Sequence, residues 1–160
     1  MAAQADQSRL VLETTKGTVL IAFRPDLAPL HVARIRELVA QRFYDGVAFH
    51  RVIDGFMAQT GCPYGNGTGG SGQKLKAEFS KAKHVRGTVS MARSQNPDSG
   101  DSQFFICLEE SPWLNGQYTV WGEVIEGMEN VDKIKRGEPV ANPDRIVSAR
   151  LADGAESALM

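Results

Sequence analysis

Short β-patterned runs recur along this chain, and only two segments carry helical periodicity, far apart from one another. Strand and helix never alternate as βαβ units require. A doubly wound parallel sheet is therefore excluded, and the pattern points to a mostly antiparallel barrel or sandwich with helices packed on it. The first run, RLVLETTKGTVLIAF, reads as a hairpin: two apolar β-rich stretches flank Thr15, Lys16 and Gly17, a short turn with glycine where positive φ is needed. Val19, Ile21 and Phe23 share one face by period two.

Pro25 and Pro29 end this hairpin and open a helix. From Leu30 to Phe43, Val32, Ile35, Leu38 and Val39 form one apolar stripe, and Tyr44-Asp45-Gly46 stops it. Three more strands are expected at residues 87–92 (GTVSMA), 103–108 (QFFICL) and 118–124 (YTVWGEV). A second short helix follows in GMENVDKIKRG, with Met128, Val131 and Ile134 inward and Gly137 as its stop. RIVSARLA closes the chain as a last strand.

The 160 residues suffice for one domain with a full core. A single unit over 1–160 is expected, ordered over about 8–152, with frayed termini that include the tail DGAESALM. A net charge of −1 gives no electrostatic reason for nucleic acid or an anionic membrane surface as partner. No apolar run approaches the roughly 20 residues that span a bilayer, and the first residues lack a basic-then-apolar leader pattern. Two cysteines are too few for a disulfide scaffold. These features together read as a reduced, cytoplasmic monomer.

Several chemistries fail on inspection. GCPYGNGTGGSGQ holds six glycines in thirteen residues, but it lacks the lysine of a phosphate loop and no helix pattern follows it; it reads as a loop pinned by its surroundings. His31, His50 and His84 show no metal-ligand spacing, so no metal is expected. His84, beside Lys81, Lys83 and Arg86, is placed on a solvated surface, and His50 is read as a strand histidine with a hydrogen-bonded ring. Cys107, in FFICL, reads as a small buried apolar residue, and Cys62 lies in a loop with no histidine near it in sequence. No GxSxG elbow presents an acyl-enzyme serine. Trp121 is assigned to packing.

What remains is FHRVIDGFMAQTG, residues 49–61. It reads as buried β structure, yet it holds Arg51 and Gln59 around the apolar pair Phe56 and Met57. A turn at Asp54-Gly55 would put Gln59 on the adjacent strand, facing the same side as Arg51.

FHRVIDGFMAQTG, GTVSMARSQNPDSGDSQFFICL and PWLNGQYTVWGEV, in this order and at these separations, resemble the signature segments of the cyclophilin family of peptidyl-prolyl cis/trans isomerases. The likeness covers nearly the whole chain and is closest to small single-domain, bacterial-like members. It implies an eight-stranded antiparallel closed β-barrel capped by two α-helices, and isomerisation of X–Pro bonds in flexible or unfolded chains without a cofactor. A proline-peptide-binding or chaperone module with incidental turnover is the alternative.

Residue by residue, the resemblance makes Arg51 the catalytic arginine and Phe56, Met57, Phe105 and Leu114 the apolar wall for the proline ring. Gln59 and Gln103 match groups that hold the substrate backbone, and Ala92 lines a neighbouring pocket. Arg93 stands where the family often has asparagine and grips the peptide through its main chain. Trp113 matches the rim tryptophan linked to cyclosporin A sensitivity, and Tyr118 replaces a frequent histidine. TGCPYG and SQNPDSGD depart from the commonest loops, which bears on peptide preference and not on the reaction.

Overall fold

The structure is a computed structural model and describes residues 9–152; the expected fraying of both termini concerns residues outside that range. Strands β1 (Arg9–Thr14) and β2 (Gly17–Phe23) form the first hairpin. Gly17 has φ +126°, a value that L side chains rarely adopt, so the glycine closes this turn as its place in the sequence requires. Val19, Ile21 and Phe23 are all buried, as period two dictates.

Helix α1 (Pro29–Ala40) starts on a proline and buries Val32, Ile35, Leu38 and Val39, together with His31. It ends before the expected Phe43: Arg42 turns to φ +61° and breaks the helix there. Tyr44, expected as part of the stop signal, is core instead, and its hydroxyl donates to the Ser102 carbonyl at 2.8 Å.

FHRVIDGFMAQTG becomes two strands, β3 (Arg51–Ile53) and β4 (Met57–Thr60), joined across the Asp54-Gly55 turn. Strands β5 (Thr88–Met91), β6 (Phe104–Cys107) and β7 (Val120–Glu126) follow where sequence placed them, within two residues at each end. A 3-10 turn at Pro112–Leu114 separates β6 from β7. Helix α2 (Met128–Val131) is one turn only, after which Ile134 returns to the core and Gly137 lies beyond it. Strand β8 (Ile146–Ala152) ends the described chain.

The eight strands form one antiparallel sheet in the order β3-β4-β6-β5-β7-β2-β1-β8. The fold is thus mainly β with eight antiparallel strands and two helices. The expected continuous closure is corrected: the sheet is open and curled, and β8 meets not β3 but the segment before it, through the isolated bridge Ala48↔Arg145 and backbone hydrogen bonds of Gly46, Val47 and Phe49 with residues 144–146. The reason is local. Strand β3 is three residues long, and its free edge is taken by Gly137, which exchanges two 2.8 Å hydrogen bonds with Val52, so no ladder is left for β8.

Both faces of the middle strands are covered. Every residue of β5 and β6 is buried. The inner face carries the main core, where Trp121 lies stacked on Phe23 and edge-on to Phe104. The outer face carries a second, smaller cluster of Met57, Phe105, Cys107 and Leu114, flanked by Ile53, Phe56, Ala92 and Tyr118. An apolar patch on the outside of a sheet requires a cover or a ligand.

Candidate active site

Strand alternation builds the site on that outer face. In β4, Met57 joins the outer cluster while Ala58 faces the main core; in β6, Phe105 and Cys107 go outward and Phe104 and Ile106 inward. The register sets Arg51 opposite Gln59, Gln59 opposite Phe105, and Phe105 opposite Ser90, a single row across four strands. Around this row lies a hollow of about 110 Å³ lined by Arg51, Met57, Gln59, Ala92, Arg93, Phe105, Leu114 and Tyr118. Phe56 and Trp113 stand just outside it with ring centres 5.6 Å apart, and Trp113 is 63% exposed. Gln103 lines the adjoining hollow.

The Arg51 guanidinium is held on two sides. Its Nε donates to Glu138 Oε2 at 2.8 Å, and its Nη1 donates to Gln59 Oε1 at 3.2 Å. Gln59 Nε2 in turn donates to Gln103 Oε1 at 2.9 Å, and Gln103 Nε2 donates to the carbonyls of Gly67 at 2.9 Å and Gly69 at 3.0 Å. Both amide hydrogens of Gln103 are therefore engaged by the glycine-rich loop. Gln59 is left as the amide with a hydrogen to spare beside the hollow.

The loop is itself pinned. Asp101 Oδ1 accepts from the Ser71 amide at 2.7 Å and its hydroxyl at 2.6 Å, and Oδ2 accepts from the Gly72 amide at 3.1 Å. Cys62 is buried in the same loop, with its sulfur accepting from the Gly69 amide at 3.2 Å. Cys107 is buried behind the hollow, and burial pushes its thiol up to about 12.

The far wall is aromatic. Phe105 and Tyr118 meet edge to face at 5.7 Å. Arg93 has its Cζ 4.5 Å from the centre of the Tyr118 ring, while its guanidinium donates to the carbonyls of Ser94, Gln95 and Gln117. In the place of an asparagine, this side chain straps together the two loops at the mouth of the hollow.

Two histidine expectations are corrected. His84 is fully buried, with ring nitrogens 2.9 Å from Ser90 Oγ and 3.2 Å from Asn115 Oδ1, and it stacks on the back of Phe105 at 6.2 Å. Lys81, Lys83 and Arg86 around it do face solvent; the segment is irregular, so neighbours in sequence share no face. His50 is buried as well, but neither ring nitrogen has a hydrogen-bond partner. Burial is the largest influence on both imidazoles and lowers their pKa values below the ordinary range.

Sequence reasoning missed Glu138, which reaches Arg51 from 87 positions away with no local signal. It also missed Ser90, which period two along GTVSMA could have placed on the outward face. Among the described residues, no three His, Cys, Asp or Glu side chains gather as a metal site, and no helix is long and apolar enough to cross a membrane.

Residues 9–151 match the family described as cyclophilin type peptidyl-prolyl cis-trans isomerase/CLD. The chain belongs to the cyclophilin family. Its relatives include a "Probable peptidyl-prolyl cis-trans isomerase" of Brucella abortus (strain 2308), 53% identical over 94% of this chain and 86% of the relative. A peptidyl-prolyl cis-trans isomerase of Synechococcus elongatus is 43% identical over 92% of this chain and 99% of its own length. Among solved structures, a Cryptosporidium parvum cyclophilin type peptidyl-prolyl cis-trans isomerase crystallised in the presence of the dipeptide Ala-Pro superposes with a TM-score of 0.84. It is 28% identical, over 91% of this chain and 99% of that one. The protein is thus a cyclophilin-type peptidyl-prolyl cis-trans isomerase.

Proposed function

We propose that this cyclophilin accelerates rotation about X–Pro bonds by holding the proline ring in the hollow and donating from Arg51 to the prolyl nitrogen. The observation that carries this reading is the shared lining: the Arg51 guanidinium and the apolar surfaces of Met57, Phe105 and Leu114 bound one space of about 110 Å³.

The X–Pro bond resists rotation because its C–N bond has partial double-bond character, with a barrier of about 18–20 kcal/mol. In the twisted transition state that resonance is lost, and the nitrogen becomes pyramidal with a true lone pair. A donor fixed beside it binds the twisted form better than either planar form, and only such differential binding speeds the step. Arginine suits the task because its charge does not titrate away. With Nε on Glu138 and Nη1 on Gln59, the Nη2 of Arg51 has no partner among the described residues and is the donor available to the substrate.

A millionfold acceleration corresponds to roughly 8 kcal/mol. One charged hydrogen bond, worth about 1.5–3 kcal/mol, is not enough. The remainder comes from positioning: Phe105, Leu114 and Tyr118 fix the ring, Met57 adapts to its cis and trans presentations, and Gln59 holds the neighbouring peptide group. Gln103 acts through Gln59. Phe56 and Trp113 extend the apolar rim, the place where cyclosporin A would dock; tryptophan fluorescence titration reads that binding.

Proline-containing peptides and unfolded or flexible chains are the partners of this reading, supported by the Ala-Pro dipeptide present with the Cryptosporidium parvum relative. A working monomer belongs to this reading, and two free buried thiols suit the cytoplasm. The test is a protease-free exchange measurement by NMR on an Ala-Pro peptide. The expected result is rapid cis/trans interconversion that Arg51→Ala abolishes while the circular dichroism spectrum stays unchanged. Binding without faster interconversion would establish the proline-peptide-binding or chaperone reading instead.

A further inference from the structure

A groove of about 470 Å³ lies on the other half of the sheet, where β7, β2 and β1 follow one another. It shares no residue with the hollow beside Arg51. Register and alternation build its floor. Val11 pairs with Leu20 and Glu13 with Thr18, so these side chains leave the hairpin on the face opposite the core residues Leu10, Leu12, Val19 and Ile21. One wall is α2, seated tightly on the hairpin: a Cβ on Gly127 would stand 2.2 Å from the Thr18 carbonyl oxygen, and Asn130 Nδ2 donates to that same oxygen at 2.8 Å. Beside it, a bulge in β7 leaves Ile125 unpaired between Val124 and Glu126, and the Ile125 side chain is 42% exposed.

The charges that line this groove have one sign. Glu13, Glu126 and Glu129 do so, all exposed, and no lysine or arginine does. Among the described residues none of the three is in an ion pair, and their side chains accept one hydrogen bond, from the Thr18 hydroxyl to Glu13 Oε1 at 2.7 Å. The surrounding cations do not balance them. Arg150, opposite Val11, holds Asp45 through both Nη atoms at 2.9 and 3.1 Å, and Arg24 holds Asp26 and Glu123. Arg9 and Lys133 lie outside the lining. Among the described residues the carboxylates do not gather as a metal site either. Negative charge strung along an apolar floor repels nucleic acid and anionic membranes. It suits a ligand whose positive charges are spaced along a chain, with an apolar group between them.

We propose that this groove docks a basic segment of another protein chain. Lys or Arg side chains of that segment meet Glu13, Glu126 and Glu129, while an apolar side chain between them lies on Val11 and Leu20. The volume falls within the roughly 300–1,000 Å³ of ligand pockets. No proline is required, which separates this site from the hollow beside Arg51. Each exposed ion pair changes Kd by at most about fivefold, so binding is weak, salt-sensitive and selective for charge, and the apolar contact supplies the rest.

The test is an NMR chemical-shift titration of the isotope-labelled protein with three capped, proline-free peptides: Lys-Leu-Lys-Leu-Lys, Glu-Leu-Glu-Leu-Glu and Lys-Gly-Lys-Gly-Lys. At low salt the Lys-Leu peptide should shift the amides of Val11, Leu20 and residues 126–130 and bind about tenfold or more tighter than the Glu-Leu peptide. The Lys-Gly peptide should bind more weakly than the Lys-Leu peptide, for want of the apolar contact. Most of the charge preference should vanish near 0.5 M salt, where the screening length is only a few ångströms. The double variant Glu126→Lys, Glu129→Lys changes two exposed side chains. It should weaken the Lys-Leu peptide about tenfold or more and leave exchange on an uncharged Ala-Pro peptide unchanged. Three results would each overturn the proposal: no shift at these amides at millimolar peptide, equal Kd for the Lys-Leu and Lys-Gly peptides, or binding that the double variant does not alter.

Discussion

Glu138 fixes Arg51 across the fold: its carboxylate accepts from the guanidinium Nε at 2.8 Å, joining β3 to the segment between α2 and β8. Side chains 41% and 57% exposed make an ion pair that contributes at most about 1 kcal/mol to stability. Its role is therefore orientation. Glu138→Ala should leave the melting temperature nearly unchanged and lower kcat about three- to tenfold at constant KM, and Glu138→Gln, which keeps an acceptor, should retain most of the rate. A rise in KM at unchanged kcat would show that Glu138 binds substrate and does not position the arginine.

The same logic extends along the relay. Gln103→Ala removes the acceptor for Gln59 Nε2 and frees the carbonyls of Gly67 and Gly69. The loop keeps its Asp101 bonds, so the protein should fold. We expect kcat/KM to fall about tenfold, in line with the 1.4 kcal/mol that one well-placed hydrogen bond contributes. Amide exchange in residues 65–72 should rise at the same time. Unchanged exchange together with lost turnover would mean that Gln103 contacts substrate directly.

These two relationships mark the limit of what the sequence could say. Arg51 and Gln59 were legible as a pair because eight residues and one turn separate them, and strand register does the rest. Phe104 and Phe105 were legible because alternation sends neighbours to opposite faces. Glu138 and the Gly67 carbonyl reach the site through tertiary contacts that leave no period or spacing behind. His84 misled because its charged neighbours are real surface residues, while the irregular chain between them turns its ring inward. Barrel closure was expected from family likeness; the short β3 and its pairing with Gly137 decide otherwise.

The pH response follows from the buried imidazoles. Burial leads the causes that lower the pKa values of His31, His50 and His84; Glu78 opposes it at His31. All three are thus neutral at pH 7 in the folded state, and no histidine lines the hollow. The exchange rate should be flat between about pH 6 and 8, since the arginine does not titrate there. Stability should not be flat. The unfolded chain, with ordinary histidine values near 6.5, binds protons before the folded one does. Stability is therefore full above about pH 6.5 and falls as the pH drops below it, levelling only below the lowered folded values. Urea midpoints at pH 7.5 and 5.5 should differ in that direction, and a higher midpoint at pH 5.5 would contradict the assignment of buried neutral rings.

Phe104 and Phe105 offer the sharpest separation of fold from function, because one peptide bond divides the two faces of β6. Phe104 is wholly buried in the main core, edge-on to both Tyr44 and Trp121. Truncating it to alanine leaves a closed cavity that solvent does not fill, at a cost of about 3–5 kcal/mol. In a chain of this size that lowers the melting temperature on the order of 10 °C. Yet Phe104 touches nothing in the hollow, and exchange per folded molecule should stay within about twofold of the parent. Phe105 is the reverse. It lines a hollow already open to water, so its truncation enlarges a wet space, and the loss should be nearer the 1.5–3 kcal/mol of side-chain transfer. On the proposed reading, the floor of the proline socket goes with it, and with that floor the alignment of the ring beneath Arg51. The ratio kcat/KM should drop at least tenfold, mainly through KM. Calorimetry paired with NMR exchange on both variants reads the two effects independently. If Phe104→Ala proved the less active of the two once corrected for its folded fraction, the catalytic face would have been assigned to the wrong side of the sheet.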